Sequence, residues 1–407
     1  MLRKAFVAVL AILVVSTPFF SLSTQSISTS TDQIFWGAWV GSHHIGYYNL
    51  LSDFEAQVGK GVSIWNWIQL WNRPQDSENI PNFDFSLMNQ ARSHGVIPMV
   101  SWGPESGNPA FPFYNLDSII NGSQDAYLIK WGQDSAKWGH PYFVRLMWEF
   151  TGSWTYDQTS QTGVYPWGAG NSPAKFIQAW QHVVNVVRGA GGTQISWVWC
   201  PAMTGDSEAR LSSCYPGDNY VDWLAVECYI ASTQSFSQYV QPMIDSELNI
   251  SPNKPQMIAE IGYGDTNPGT WWTNILNNVM PRNPNIKAVV IWEMPPGLTV
   301  VNSATLSSFK QAISSSYYAS NIYANLNVSP LEALNGTPNS TPTPSSQLTP
   351  SPTYIYSTSL PNSTSTHNVA VPSKLSWSDI TLVGVIIAII VCAFSLILRK
   401  RFIKNTK

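Results

Sequence analysis

A regular alternation of apolar runs with helix-like segments, between residues 34 and 318, constrains the fold most strongly. Short runs rich in β-branched and aromatic residues predict buried strands. The predicted strands are Trp36–Val40, Val62–Trp67, Ile97–Trp102, Tyr142–Glu149, Ile195–Trp199, Trp223–Tyr229, Gln256–Glu260 and Ala288–Glu293. The predicted helices are Asn49–Gly59, Phe85–His94, Gln124–Lys137, Pro173–Arg188, Phe236–Leu248, Thr270–Val279 and Ala304–Ser315. Eight strands alternating with helices predict an α/β fold, a (β/α)8 TIM barrel over residues 30–318.

A doubly wound parallel sheet is the alternative arrangement of the same elements. Proteins of that class carry a glycine-rich phosphate loop after the first strand. The residues after Val40 contain no such loop. The pattern therefore favours the barrel.

The two ends of the chain predict export and anchoring. Residues 1–26 carry two basic residues, Arg3 and Lys4, and continue as an apolar stretch, which is typical of a signal peptide. Residues 319–378 are rich in Ser, Thr and Pro and predict an extended linker or stalk. Residues 379–398 predict one transmembrane helix, because the apolar run Ile380 to Leu398 is about 28 Å long as a helix. The basic tail 399–407 then places the barrel outside the cell membrane.

The composition narrows the possible partners. The net charge is −3 and 11% of residues are charged, so no basic surface for nucleic acid is predicted. Aromatic residues make up 13% of the chain, with 19 Trp, and part of these suit stacking on sugar rings. We expect a monomer without a cofactor or a metal site.

Three cysteines precede the predicted membrane segment. Cys200 and Cys214 flank one loop, and we expect them to form a disulfide in an oxidising compartment. Cys228 lies within a predicted strand and is expected to be a buried thiol.

Two glutamates lie at the C-terminal ends of predicted strands, the end where TIM barrels place their active sites. Glu149 ends the fourth strand and Glu260 ends the seventh. Two carboxyl groups that face one cleft are the catalytic equipment of glycoside hydrolases. Glu105, Glu227 and Glu293 also lie near the predicted mouth, so position alone does not select the pair.

Side-chain alternation adds neighbours to this pair. Arg145 and Glu149 share one face of the fourth strand if the strand continues to Glu149. An interior guanidinium would favour an ionised carboxylate beside it. In the sixth strand, Glu227 and Tyr229 share a face, and the Tyr229 hydroxyl could donate a hydrogen bond to Glu260.

Several sequence blocks together resemble glycoside hydrolase family 26. They span roughly residues 140–262 and are Arg145-Leu-Met-Trp-Glu149-Phe-Thr-Gly-Ser-Trp154, Tyr165-Pro-Trp-Gly168, Gly170-Asn-Ser-Pro-Ala-Lys-Phe-Ile-Gln-Ala-Trp180, Trp197-Val-Trp-Cys-Pro201, Tyr215-Pro-Gly-Asp-Asn-Tyr-Val-Asp-Trp223 and Lys254-Pro-Gln-Met-Ile-Ala-Glu260. The resemblance implies a retaining hydrolase of β-linked polysaccharides, mostly β-1,4-mannans and otherwise β-glucans or β-xylans. It also implies that Glu149 is the acid/base, Glu260 the nucleophile and Tyr229 its hydrogen-bond donor.

The chain departs from the family pattern at three places near these residues. Trp148 replaces the family's usual His, Thr151-Gly152 replaces Asn-Gly, and Glu227 replaces Asp. We interpret Glu227 as an auxiliary hydrogen-bonding group. A barrel that binds carbohydrate without cleaving it is the alternative that these departures leave open.

Tryptophans near predicted strand ends are the candidate substrate-stacking residues: Trp102, Trp154, Trp167 and Trp292. Core packing is the alternative role for each of them. Arg145, Trp148, Glu227 and Tyr229 complete the predicted binding site. The sequence thus predicts a single-pass cell-surface endo-β-glycoside hydrolase, with mannan as the first candidate substrate.

Overall fold

A closed barrel of eight parallel strands forms the centre of the protein. The computed structural model describes residues 33–42, 45–46, 48–71, 83–108, 111–113, 115–151, 167, 171–203, 208–230, 234–262, 269–293, 300, 305–323 and 326–334. The barrel strands are β1 Ile34–Ser42, β2 Ile64–Leu70, β3 Ile97–Gly103, β4 Tyr142–Leu146, β5 Ile195–Trp199, β6 Trp223–Cys228, β7 Gln256–Ile261 and β8 Ile286–Glu293. Each pairs in parallel with the next, and β8 pairs with β1 to close the cylinder. The predicted (β/α)8 barrel is confirmed.

Short strands accompany the barrel. Tyr318–Ala319 pairs in parallel with the start of β1, and Ile45–Gly46 pairs with its end. Glu105–Asn108 and Phe111–Phe113 form an antiparallel pair after β3. This pair therefore lies at the C-terminal end of the barrel strands.

Helices follow the strands along the chain. The α-helices are α1 Tyr48–Val58, α2 Phe85–His94, α3 Leu116–Ile120, α4 Asp125–Trp138, α5 Pro173–Gly189, α6 Glu208–Ser213, α7 Phe236–Tyr239, α8 Gln241–Ile250, α9 Gly269–Asn274, α10 Met280–Arg282 and α11 Leu306–Ile313. A 3-10 helix covers Asp218–Tyr220, and a π-helix, Ile275–Val279, joins α9 to α10. The predicted helix over 236–248 is two helices, α7 and α8, and Pro242 lies in the first turn of α8, where a missing backbone N–H is tolerated.

Local sequence signals explain α5. The Ser172 hydroxyl accepts a hydrogen bond from Lys175 N at 3.2 Å, and Pro173 occupies the first turn, as expected at a helix start. Phe176, Trp180 and Val183 are buried at helical spacing. The ring of Phe176 stacks on Phe150, the residue that follows Glu149, with centroids 4.3 Å apart.

Aromatic rings fill the interior of the barrel near its N-terminal end. Phe35 of β1, Phe143 of β4 and Trp223 of β6 contact one another across the cylinder, with ring centroids 5.2 to 6.5 Å apart. The strands that carry them are not neighbours, so the rings must point inward. The interior is therefore a packed core rather than a channel.

The packed region continues past residue 318, the predicted end of the barrel domain. Leu331 is buried; its backbone N–H donates to Ser196 Oγ at 2.7 Å, and its carbonyl accepts from Trp223 Nε1 at 2.7 Å. Tyr323 is buried as well, and its hydroxyl donates to Pro141 O. Residues 319–323 and 326–334 thus belong to the folded domain, because Tyr323 and Leu331 form hydrogen bonds with residues of the barrel.

The predicted signal peptide, most of the predicted linker and the predicted transmembrane helix at 379–398 lie outside the described residues. Within the described ranges, no helix has the length and hydropathy that crossing a bilayer requires.

A buried carboxyl group lies at the N-terminal end of β7. Glu247 of α8 is completely buried, and its Oε2 accepts a hydrogen bond from Gln256 Nε2 at 3.0 Å. Burial raises the pKa of Glu247 to about 8, and the Gln256 hydrogen bond opposes this rise in part. The folded state consequently favours a neutral Glu247.

Glu247→Gln is expected to remove a pH dependence of stability. The folded state binds this proton more tightly than the unfolded chain, so its contribution is full below about pH 4.5 and is lost as the pH rises through about 8. Urea denaturation should show that the free energy of unfolding of wild type falls over that range by a few kcal/mol more than that of the variant. One pKa unit corresponds to about 1.4 kcal/mol. Glu208→Gln, at an exposed position of α6, is the control and should show no such trend. Parallel curves for wild type and Glu247→Gln would contradict this account.

Candidate active site

Three glutamates converge at the C-terminal end of the barrel strands. One carboxylate oxygen from each of Glu149, Glu227 and Glu260 lies within 4.8 Å of the other two. Glu227 and Glu260 are 2% and 4% exposed, and Glu149 is more accessible. The two carboxyl groups predicted from strand position are therefore neighbours, and Glu227 lies beside both.

Arg145 provides the positive charge of this cluster. Its Nη2 contacts Glu260 Oε1, and its Nη1 lies 3.4 Å from Glu227 Oε1. The guanidinium is completely buried, so both contacts lie in a low-dielectric environment, where the pairing of opposite charges matters most. Three carboxyl groups at this spacing could also hold a cation, but Arg145 already places a permanent positive charge against two of them.

Two buried polar side chains hold Arg145 in place. Its Nε donates to Ser101 Oγ at 3.0 Å, and the Ser101 hydroxyl donates to Asn66 Oδ1 at 3.0 Å. This series of hydrogen-bonded side chains runs from β4 through β3 to β2. Neither Ser101 nor Asn66 belongs to a recognised motif. Each is a polar residue within a largely apolar strand, and this pattern could have identified both as candidate site residues from the sequence.

Glu260 is oriented by a second donor. The Tyr229 hydroxyl donates to Glu260 Oε2 at 2.6 Å, so the predicted hydrogen bond is present. Arg145 and Tyr229 engage different oxygens of the same carboxylate. The Glu260 side chain is therefore fixed from two sides.

A strand irregularity brings Glu260 beside Glu227. The register between β7 and β6 shifts between Ile258 and Glu260, and Glu260 becomes the direct partner of Glu227. A bulge of this kind redirects the side chains that follow it. The alternation of side chains along β7 does not by itself predict that Glu260 and Glu227 are direct partners.

Glu149 lies in a turn rather than on a strand, contrary to the predicted strand Tyr142–Glu149. β4 ends at Leu146, and Met147 and Glu149 have left-handed backbones with φ of 42° and 55°. Non-glycine residues rarely adopt this conformation, which costs about 1–2 kcal/mol per residue. The expectation that Arg145 and Glu149 share a strand face is therefore wrong, although the turn still brings Glu149 to the cluster.

The surroundings of Glu149 favour its protonated form. Burial raises the pKa of Glu149 to about 7, and the negative charge of Glu260 acts in the same direction. The positive charge of Arg145 and a hydrogen bond from Glu227 oppose the rise. Burial likewise keeps the pKa of Glu227 well above its usual range, so a neutral Glu227 donates to Glu149.

The cysteine prediction is wrong. Cys200 is a buried free thiol, and the expected Cys200–Cys214 disulfide is absent. The Cys200 sulfur lies 3.9 Å from Arg145 Nη1 and 3.8 Å from Glu227 Oε1, on the inner side of β5's end. Burial raises the pKa of Cys200 well above its usual range, so this thiol is neutral. Cys228 is buried in β6, as predicted.

The described tryptophans of the predicted stacking set have buried rings. Trp102 is fully buried and stacks on Trp131, with centroids 4.5 Å apart, so its predicted role in sugar stacking is wrong and its role is core packing. Trp292 is 8% exposed and lies face to face with Trp39 at 4.0 Å. Sugar stacking needs an open ring face, which this pairing removes on one side.

The remaining tryptophans of the predicted site lie around the Glu149 turn. Trp148 and Trp167 are 2% and 1% exposed and contact each other with centroids 5.1 Å apart. The Arg145 guanidinium lies 5.5 Å from the centroid of the Trp148 ring. Trp148 and Trp167 therefore pack behind the carboxyl groups, and Trp154 lies outside the described residues.

Glu293 is not part of the carboxyl cluster. It is buried at the end of β8, and its Oε2 accepts a hydrogen bond from Val300 N at 2.7 Å. This contact joins the end of β8 to Val300.

Comparison with known proteins supports the resemblance drawn from the sequence. The profile of Glycosyl hydrolase family 26 matches residues 118–265. Endoglucanase H of Acetivibrio thermocellus is 28% identical over 317 residues, which cover 72% of this chain and 32% of that protein. The chain thus spans about a third of the length of this relative. The resemblance to family 26 is confirmed.

Solved structures share the fold. An endo-beta-1,4-mannanase double mutant from Cellulomonas fimi is 19% identical, covers 72% of both chains and superimposes with a TM-score of 0.56. A GH26 beta-mannanase from Bacteroides ovatus is 18% identical, covers 72% of this chain and 93% of its own, and gives a TM-score of 0.55. At such low sequence identities, the structural similarity shows that these proteins share the barrel fold.

Arg145→Met is expected to destabilise the protein by about 3–5 kcal/mol, because buried carboxyl groups lose their charge partner. The loss should grow with pH, since more of these groups would ionise without compensation. Arg188→Met is the control: this half-exposed arginine lies 3.9 Å from Asp222 and should contribute about 1 kcal/mol or less. Urea denaturation at acidic and alkaline pH measures both variants. Equal stability of wild type and Arg145→Met at both values would show that Arg145 does not hold the cluster together.

Proposed function

We propose that this protein is a retaining endo-β-glycoside hydrolase in which Glu260 is the nucleophile and Glu149 the acid/base. The observation that carries the proposal is the approach of the Glu149 and Glu260 carboxylate oxygens to within 4.8 Å. Retaining enzymes hold these groups about 5–5.5 Å apart, whereas inverting enzymes leave about 6.5–9.5 Å for a water molecule. The spacing therefore supports a covalent intermediate.

The first step forms a bond between Glu260 and the sugar. A Glu260 oxygen attacks the anomeric carbon, the bond from that carbon to the bridging oxygen breaks, and Glu149 donates its proton to the departing oxygen. Arg145 and Tyr229 hold the attacking carboxylate in a fixed orientation. Such orientation removes part of the entropic barrier.

The second step releases the sugar. Glu149, now ionised, takes a proton from a water molecule that attacks the anomeric carbon, and Glu260 departs as a carboxylate. A pKa of about 7 suits both duties, because Glu149 can give and regain a proton near neutral pH. The neutral Glu227 carboxyl donates a hydrogen bond to the ionised Glu149 and stabilises it between the two steps.

The substrate in this proposal is a β-linked polysaccharide, and β-1,4-mannan is the first candidate. The similar solved structures from Cellulomonas fimi and Bacteroides ovatus are mannanases by name, which supports mannan. A β-glucanase is the second candidate, because the curated relative at 28% identity is an endoglucanase. Pocket contacts to a single sugar hydroxyl decide such a preference.

Hydrolysis of a polymer panel tests the proposal. The full-length protein is incubated with β-1,4-mannan, mixed-linkage β-glucan, xylan and cellulose, and the release of reducing ends is measured. We expect release from mannan, its loss in Glu260→Gln, and a decrease of about 10²- to 10⁴-fold in Glu149→Gln. Glu208→Gln, an exposed change in α6, is the matched control and should retain activity. Binding without release from any polymer, by a folded protein, would favour the noncatalytic carbohydrate-binding barrel.

The location of the protein is a separate proposal, based on the sequence ends alone. We propose that the chain is anchored in the cell membrane by residues 379–398, with the barrel outside and the 319–378 segment as a stalk. Exposed Asn-X-Ser/Thr sequons at Asn121, Asn249 and Asn327 are compatible with an exported barrel.

Deletion of residues 376–407 is expected to convert a membrane-bound protein into one released to the medium. The reason is the loss of the only long apolar segment in the C-terminal part of the sequence. Fractionation of cells expressing the full and the shortened chain measures this. A shortened chain that still sediments with membranes would argue against the C-terminal anchor.

A further inference from the structure

The turn that carries Glu149 is attached to both neighbouring strands. Met147 N donates to Trp102 O of β3 at 3.0 Å, and Glu149 N donates to Cys200 O, directly after β5, at 2.8 Å. Farther along, Ala202 N donates to Thr151 Oγ1 at 3.1 Å. The turn is thus fixed on two sides in a conformation that free chains rarely adopt.

Trp167 completes this attachment at the peptide that precedes Glu149. Its indole N–H donates to the carbonyl oxygen of Trp148 at 2.7 Å. The amide N–H of the same peptide group is Glu149 N, which donates to Cys200 O. Both polar atoms of the Trp148–Glu149 peptide are therefore held, and the plane of that peptide sets the direction in which the Glu149 side chain leaves the backbone.

Gly103 provides the space for this contact. A Cβ atom at Gly103 would lie 2.8 Å from Trp167 Cη2 and 3.0 Å from Trp148 Cζ3, which is closer than packed atoms allow. The two indole rings consequently rest against the bare backbone at the end of β3. Both rings are buried, so the Trp167 hydrogen bond is shielded from competing water.

We infer that Trp167 is a positioning residue that aims the Glu149 carboxyl at the leaving oxygen. It acts through the Trp148–Glu149 peptide and does not stack on the sugar, which replaces the role predicted from its sequence position. The inference rests on the proposed function, because it presumes that Glu149 is the general acid. It predicts that the first step is slowed only for substrates that need this acid.

Trp167→Phe tests the inference, since it keeps a buried ring and removes the indole N–H. The full-length variant is assayed on two β-mannobiosides, one with a 2,4-dinitrophenol leaving group and one with an unactivated sugar alcohol. For the unactivated substrate kcat/KM should fall about 10- to 100-fold, because misplacing a general acid by about 1 Å costs this much. The first step with the dinitrophenyl substrate needs no proton, so its kcat/KM, which reports on that step, should change less than about 3-fold. If the polymer panel identifies glucan, the corresponding β-cellobiosides are used.

Trp180→Phe is the matched control. Trp180 of α5 is also fully buried, and its indole N–H also donates to a backbone carbonyl, Tyr220 O, at 3.0 Å. It lies on α5, outside the strands, and its indole N–H is bonded to Tyr220 rather than to the Glu149 turn. A general packing defect should slow both substrates to a similar extent in both variants.

Gly103→Ala provides a second variant should Trp167→Phe fail to fold. A methyl group there displaces the indole pair from the β3 side and should reproduce the selective loss on the unactivated substrate. Equal losses on the two substrates in the folded variants would overturn the inference while leaving the proposed function intact. Absence of turnover of both substrates by wild type would overturn the proposed function, and the inference with it.

Discussion

A single buried guanidinium determines how the rest of the site can be arranged. Arg145 is completely enclosed and contacts Glu260 and Glu227, while Glu149 lies within reach of both. One permanent positive charge can balance only one negative charge, and an excess of buried charge is costly. The cluster therefore favours one carboxylate beside Arg145 and two carboxyl groups that keep their protons, which is the division of labour that double displacement needs.

Departures from regular structure bring these groups together. A register shift in β7 sets Glu260 beside Glu227, and a turn with two left-handed residues turns Glu149 toward them after β4 has ended. Irregular or strained backbone at a functional site must be stabilised by its surroundings. Here the surroundings are strand carbonyls, the Trp167 indole and a polar chain from Arg145 through Ser101 to Asn66.

Much of this arrangement follows from the sequence. Apolar runs located all eight strands, and the order of the family blocks selected Glu149 and Glu260 among several acidic residues. Side-chain alternation anticipated the hydrogen bond from Tyr229 to Glu260, because β6 is regular up to Cys228. Alternation failed for Glu149, since no pattern marks where β4 gives way to a left-handed turn. It also could not separate stacking tryptophans from core ones: Trp102 lies at a strand end, yet its ring turns into an aromatic cluster.

The account depends most on the close approach of the Glu149 and Glu260 carboxyl groups, and the stereochemistry of the reaction tests this most directly. Proton NMR of the hydrolysis of a β-1,4-manno-oligosaccharide, or of the cello-oligosaccharide if glucan is the substrate, follows the anomeric signal of the new reducing end before mutarotation. Because each displacement inverts the anomeric carbon, two successive displacements restore the β configuration. The β-anomer is therefore expected to form first. First appearance of the α-anomer would require a water molecule between the two carboxyl groups and would contradict the arrangement described for this site.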